Sequence, residues 1–282
     1  VTFVTARFCN TSLLSTISRR YPLCRPIRSD WRIGCTPLYG YHIYCVRHPI
    51  SHATGKLDTA GVKSLIFLFR QPPSMVISLS EPIREDFPTS ATNPYGRSKL
   101  KVEETLTVFH KANPHWSITL LRYFNPVFCS RVWLARSGSS RHSKQLIALC
   151  RSCVSLVDAK NCLVFVDKYT TPHGTGVRDY IHVIDLADGH LASLYKVGQQ
   201  AGLHIFNLVT GQGNSVLEMV AAFEKAAQRP IPYEIKPRRA GDIAECWADP
   251  AYAEQVLGWK ATRSLETMVV DTWRWQSASL HL

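Results

Sequence analysis

The chain has 282 residues, 45% hydrophobic and 19% charged, which excludes wholesale disorder and leaves ample apolar material for a core. No apolar run is long enough to cross a bilayer, and nine cysteines, an odd number, do not suit a closed disulfide framework. Lys and Arg outnumber Asp and Glu by 33 to 21, a net charge of +12 that would ordinarily point to nucleic acid.

The position of that charge argues otherwise. Residues 1–56 hold eight Lys/Arg against one acid, Asp30, and residues 128–162 hold six against Asp158; the remainder is balanced at 19 bases and 19 acids. Eight of the nine cysteines lie in the same two stretches, and only Cys246 lies elsewhere. Residues 1–56 show no helical or alternating period. Their acid-poor, Arg/Ser-rich text has the flavour of a transit peptide but runs far past the usual length of one.

From Gly61 the texture changes. Val62 to Phe67 reads as a buried strand, residues 71–94 as a Pro-rich loop, and Tyr95 to about Ala112 as an amphipathic helix with Leu100, Val102, Leu106 and Phe109 on its apolar side. Ser117 to Leu121 reads as a strand, and 128–162 is irregular again. After Leu163 the spacing predicts helices over His182–Lys196, from a cap at Asn214 to Ala227 with Glu218 early in it, and over Ala251–Leu257 and Leu265–Trp273. Strands are expected at His204–Leu208 and Ile231–Ile235.

One local signal carries chemistry. In Asn93-Pro94-Tyr95-Gly96-Arg97-Ser98-Lys99, Tyr95 and Lys99 stand one helical turn apart on one face. An ammonium beside a phenol favours the phenolate, which makes Tyr95 a candidate base near neutral pH. The bare spacing is common on solvated helices, and it gains weight from three segments further along the chain. Leu121-Arg122-Tyr123-Phe124-Asn125-Pro126-Val127 comes after a strand, then Gly174-Thr175-Gly176-Val177-Arg178-Asp179-Tyr180-Ile181-His182-Val183, then Pro237-Arg238-Arg239-Ala240-Gly241-Asp242. This ordered set, over about 57–127 and 163–282, resembles the UDP-glucose (UDP-galactose) 4-epimerases, which are extended short-chain dehydrogenase/reductases.

The resemblance implies an α/β fold: a Rossmann-like, doubly wound parallel sheet, incomplete at the N-terminus, and a smaller mixed α/β C-terminal substrate lobe. It divides the chain into a degenerate segment at 1–56, the rest of the Rossmann-like domain with the Tyr/Lys helix at 57–162, and the substrate lobe at 163–282. It implies NAD as cofactor and a UDP-hexose as substrate, whose C4 hydroxyl is oxidised to a ketone before the hydride returns to the other face. Tyr95 matches the family's base and Lys99 its partner on the nicotinamide ribose; both therefore touch cofactor, as does Phe124. Asn125 matches a substrate-binding position, Arg178 and Arg239 match residues on the nucleotide and pyrophosphate, and Asp242 matches a polar residue near the nucleotide ribose. Cys246 falls where members carry Tyr or a small residue, the small version going with room for an N-acetyl group. The resemblance further implies a homodimer pairing through helices that include the one bearing Tyr95, and a cytoplasmic location, with neither membrane nor nucleic acid as partner.

Other candidates weigh less. Gly211-Gln212-Gly213-Asn214 reads as a turn and cap rather than a phosphate loop, and Cys150-Arg151-Ser152-Cys153 has no second ligand pair for zinc. His110, His182 and His190 read as structural.

The pattern also breaks in places. Residues 1–56 lack a glycine fingerprint for a pyrophosphate. The serine segment due after the strand ending near Phe67 and the Asn-Asn-Leu substrate loop due within 128–162 are both missing. Back-translating Phe69 to Leu79 with permitted codons and shifting frame gives Ser-Ser-Ala-Thr-Val-Tyr-Gly; Arg141 to Ala148 gives Gly-Ile-Pro-Asn-Asn-Leu-Ser. Residues 1–56, about 68–79 and 128–162 are thus expected to be out-of-frame text, and a nucleotide sequence in which no frame change restores these segments would refute it. The alternatives to an epimerase are an inactive, frameshifted remnant of one and an NAD-dependent sugar-nucleotide dehydratase. The second is disfavoured because dehydratases place an acid where the recovered segment has Ala-Thr-Val.

Overall fold

The computed structural model describes residues 2–5, 25–27, 63–70, 82–91, 94–127, 162–166, 169–171, 173–197, 200–237 and 243–280. A five-stranded sheet organises them, all of it parallel: β1 (Thr2–Thr5), β2 (Arg25–Ile27), β3 (Ser64–Arg70), β4 (Ser117–Tyr123) and β8 (Gly202–Asn207), in the order β2-β1-β3-β4-β8. Strands β3 and β4 pair over their whole length, from Ser64 against Ser117 to Arg70 against Tyr123.

The sequence of 1–56 carries no period, yet two short strands lie within it. Ladder pairing runs through backbone groups that every residue carries, and strands of three and four residues are too short to display an alternation. Other boundaries move for local reasons. The last helix, α5 (Leu265–Leu280), passes the expected Trp273 because no Gly or Pro stops it. Strand β10 (Tyr233–Pro237) starts later than expected: Pro232 cannot donate to a ladder, and Ile231 is a core plug instead.

Side-chain alternation in β4 sorts the core into two layers. Ile118 and Leu120 point toward α1 (Pro94–Ala112), joining Leu65, Phe67, Val102, Leu106 and Trp116. Leu121 and Tyr123 point the other way. There they meet Leu186, Ala187 and Leu194 of α2 (Val183–Lys196), Ala253 and Leu257 of α4 (Ala251–Leu257), and Trp259. Helices therefore cover both faces, as a parallel sheet requires. The Asp185 carboxylate at the start of α2 takes the Arg263 N–H at 3.0 Å and pairs with the Arg263 guanidinium, which pins the 258–264 turn beside Trp259.

A second, smaller assembly forms the C-terminal lobe. Strands β6 (Cys162–Val166) and β10 pair in parallel. Val164, Met219, Val220, Phe223, Ile231, Met268 and Val269 make its core, between α3 (Val216–Ala227) and α5. The N-cap of α3 is Ser215, not the expected Asn214. Its hydroxyl accepts the Glu218 N–H at 3.1 Å while the Glu218 carboxylate accepts the Ser215 N–H at 2.6 Å. Asn214 sits in β9 (Gly213–Ser215) instead. Among the described residues no helix is long and apolar enough to cross a membrane.

Candidate active site

The sheet reverses direction at β1: the chain leaves β1 for β2 on one side and returns to β3 on the other. In a doubly wound sheet the crevice outside the carboxyl ends at such a reversal receives a dinucleotide. Helix α1 opens beside that edge, with Pro94 at its first position, where a missing N–H costs nothing. Tyr95 and Lys99 lie in its first turns and share a face by spacing. Lys99 is buried, at 6% exposure, although it is a residue type that is almost always solvated. The Tyr95 side chain lies outside the described residues.

A small sheet gathers the remaining candidates. Strand β5 (Asn125–Val127) pairs with β7 (Val177–His182), placing Asn125 against Tyr180; β7 in turn pairs with β11 (Glu245–Cys246), placing Arg178 against Cys246. Asn125 Nδ2 donates to the Asp179 carbonyl at 3.2 Å. Phe124 and Cys246 are both 1% exposed and pack with Ile83, Val209 and Ala248 where the sheet meets the C-terminal lobe. So Phe124, Asn125, Arg178 and Cys246, spread over more than a hundred residues, come together through strand register. Arg239 and Asp242 lie outside the described residues, as do the expected serine segment, the substrate loop and the Cys150/Cys153 pair.

Arg178 does something its motif did not announce. Its guanidinium donates to the main-chain carbonyls of Val177 at 2.7 Å, Ala244 at 3.1 Å and Ile243 at 2.8 Å. It thereby anchors the chain just after the segment bearing Arg239 and Asp242. Gly176 makes room for it: a Cβ there would stand 3.1 Å from the Arg178 guanidinium.

Sequence reasoning missed three groups at this edge. Arg122, 2% exposed, binds the Glu103 carboxylate and the Glu85 carbonyl. Glu85 accepts the Asn207 N–H at 2.7 Å, and burial raises its pKa. Asp179, fully buried, accepts from Thr210 N (3.0 Å), Thr210 Oγ1 (2.8 Å) and Gly211 N (3.0 Å), holding the turn after β8 in which Gly211 takes φ +74°. The available signal was an arginine at Arg122 continuing the inward row of Ile118 and Leu120, where only a partnered charge can stand. The histidines are structural as expected where they are described: His182 caps α2 by accepting the Ile184 N–H at 3.0 Å, and His190 bonds the Leu186 carbonyl, burial pushing its pKa down to about 4.

The residues fit a nicotinamide dinucleotide on one side only. The reversal at β1 offers a crevice of the kind that receives one, and Lys99 adds a buried cation. Between β1 and β2, however, the sequence of residues 6–24 contains no glycine, the residue type that a pyrophosphate turn uses for close backbone approach.

Comparisons with known proteins agree with this geometry. A family profile described as GDP-mannose 4,6 dehydratase matches residues 78–272. The UDP-glucose 4-epimerase of Bacillus subtilis (strain 168) is 45% identical over 230 residues, 80% of this chain and 66% of the relative. That of Yersinia pestis is 44% identical over 227 residues, 78% of this chain and 65% of the relative. The chain thus spans just under two thirds of these relatives' length. Among solved structures, the Bifidobacterium longum UDP-glucose 4-epimerase in complex with NAD+ and UDP aligns with TM-score 0.72 and 41% identity, covering 86% of this chain and 70% of that one. The Stenotrophomonas maltophila UDP-glucose 4-epimerase with bound NAD and formylated UDP-arabinopyranose aligns with TM-score 0.76 and 30% identity, covering 99% and 98%. Profile, relatives and sheet order agree that the chain belongs to the extended short-chain dehydrogenase/reductase family, the one that holds the UDP-glucose 4-epimerases.

Proposed function

We infer that the protein is an epimerase acting at C4 of a UDP-hexose, interconverting UDP-galactose and UDP-glucose. One observation carries the reading: a buried lysine one turn after Tyr95, at the same sheet edge where register assembles Phe124, Asn125, Arg178 and Cys246. In this reading the Tyr95 phenolate takes the proton of the sugar C4 hydroxyl. The Lys99 ammonium stabilises that phenolate and contacts the nicotinamide ribose. NAD, when bound, supplies the hydride acceptor. Phe124 lines the cofactor side, and Asn125 contacts the sugar. Arg178 holds the 243–244 chain so that Arg239 and Asp242 reach the pyrophosphate and the nucleotide ribose. Cys246, small and buried, leaves room for an N-acetyl substituent.

The alternative is a nucleotide-sugar dehydratase, a class that shares the family profile. One experiment separates the readings: the purified protein is incubated with NAD and UDP-galactose, and the products are separated by chromatography. The epimerase reading expects UDP-glucose, approached to the same equilibrium from either sugar. A 4-keto-6-deoxy product favours the dehydratase. No conversion overturns both and leaves the inactive remnant, in keeping with the glycine-free sequence of residues 6–24. A cytoplasmic location and a homodimer pairing through helices that include α1 complete the proposal, on the family resemblance alone.

A further inference from the structure

The sheet rows that face α1 are apolar until their carboxyl ends, where Arg122 follows Ile118 and Leu120 in β4 and Asn207 follows Leu203 and Ile205 in β8. Arg122 donates through Nε to Glu103 Oε2 at 3.2 Å, through Nη2 to Glu103 Oε1, and through Nη1 to the Glu85 carbonyl at 3.1 Å. Glu103 is 7% exposed and lies one turn after Lys99, as Lys99 lies one turn after Tyr95, so the three form a single stripe on α1. A lysine at the centre of such a stripe has two neighbours within reach, a phenol before it and a carboxylate after it. The carboxylate carries a full charge, and a buried, unneutralised one attracts an ammonium more strongly than a phenol does. The other described charges nearby do not change this. Lys101 and Glu104 pair with each other on the outer face at 2.5 Å, and the Glu85 carboxylate is engaged by the Asn207 N–H.

We propose that Arg122 is a positioning residue for the reaction: by neutralising Glu103 it leaves the Lys99 charge directed at Tyr95. The inference rests on the reading of Tyr95 as the base, and the test is chosen to tell the two apart. Phenolate absorbance is titrated in the full chain and in Tyr95→Phe, and the difference gives the Tyr95 pKa without any turnover. The full chain is expected to ionise Tyr95 well below an ordinary phenol's value of about 10.

Arg122→Gln frees the Glu103 carboxylate, raises that pKa by about one pH unit and lowers kcat at pH 7 about tenfold with KM little changed. Arg122→Lys keeps the parent value, and the double variant Arg122→Gln/Glu103→Gln returns to it, because no carboxylate is left to compete. A simple packing role for Arg122 would give neither the shift nor the recovery. If Arg122→Gln does not fold, Glu103→Gln alone decides: a lowered Tyr95 pKa supports the proposal, and an unchanged or raised one overturns it. A full-chain value near 10 overturns the base and this inference together. A depressed value that Arg122→Gln leaves in place overturns this inference alone.

Discussion

Replacing Tyr95 by Phe is expected to lower kcat for UDP-galactose and UDP-glucose interconversion by about 10²–10⁴, the range that positioned proton transfer contributes. The ring is retained, so packing at the start of α1 is little disturbed, and UDP binding should be unchanged by calorimetry. Two features of the chain support so large an effect. Tyr95 lies in the first turn of a 19-residue helix, where the positive end of the dipole favours an anion. The buried Lys99 adds a full charge one turn further on. A Phe variant that keeps more than about a tenth of the parent turnover would remove the phenol from the chemistry.

The second large effect concerns stability. Asp179 accepts hydrogen bonds from Thr210 and Gly211, which favour its charged form, yet desolvation is the larger influence and raises its pKa to about 6 from 3.8. A carboxylate whose pKa is higher in the folded state binds its proton more tightly there than in the unfolded chain. Its contribution is therefore fully present below about pH 4 and is lost as pH rises through about 6. The difference amounts to about 3 kcal/mol. Asp179→Asn cannot ionise, so the Tm of the parent should fall relative to that of the variant as pH goes from 4 to 7. A Tm difference that stays level across this interval would mean that Asp179 is not buried as described. Because Asp179 holds the turn after β8 and lies beside Arg178 in β7, the same variant should also weaken UDP binding.

Much of this protein was legible in one dimension because its signals are local. The helix carrying Tyr95 and Lys99 shows a period of Leu100, Val102, Leu106 and Phe109 that only a helix brings to one side, and it runs to Ala112 as expected, starting at Pro94, one residue before the expected Tyr95. The start of α3 was displaced by one residue, since Asn214 and Ser215 are both good caps and the reciprocal bond with Glu218 decides for Ser215. Strands β1 and β2 were illegible because four and three residues are too few to display a period.

The site divides in the same way. Composition, spacing and the order of the Tyr/Lys, Phe-Asn-Pro and Gly-Thr-Gly motifs determined the family, the fold class and the residues to watch, since those depend on chain-local patterns and on kinship. Only the tertiary structure decided that Arg178 grips the carbonyls of Ile243 and Ala244, that Asp179 is a buried carboxylate under the turn after β8, and that Arg122 closes on Glu103. Each of these joins residues distant in sequence. What a buried charge does is set by the neighbour that solvates it in place of water, and that neighbour is fixed by register and packing.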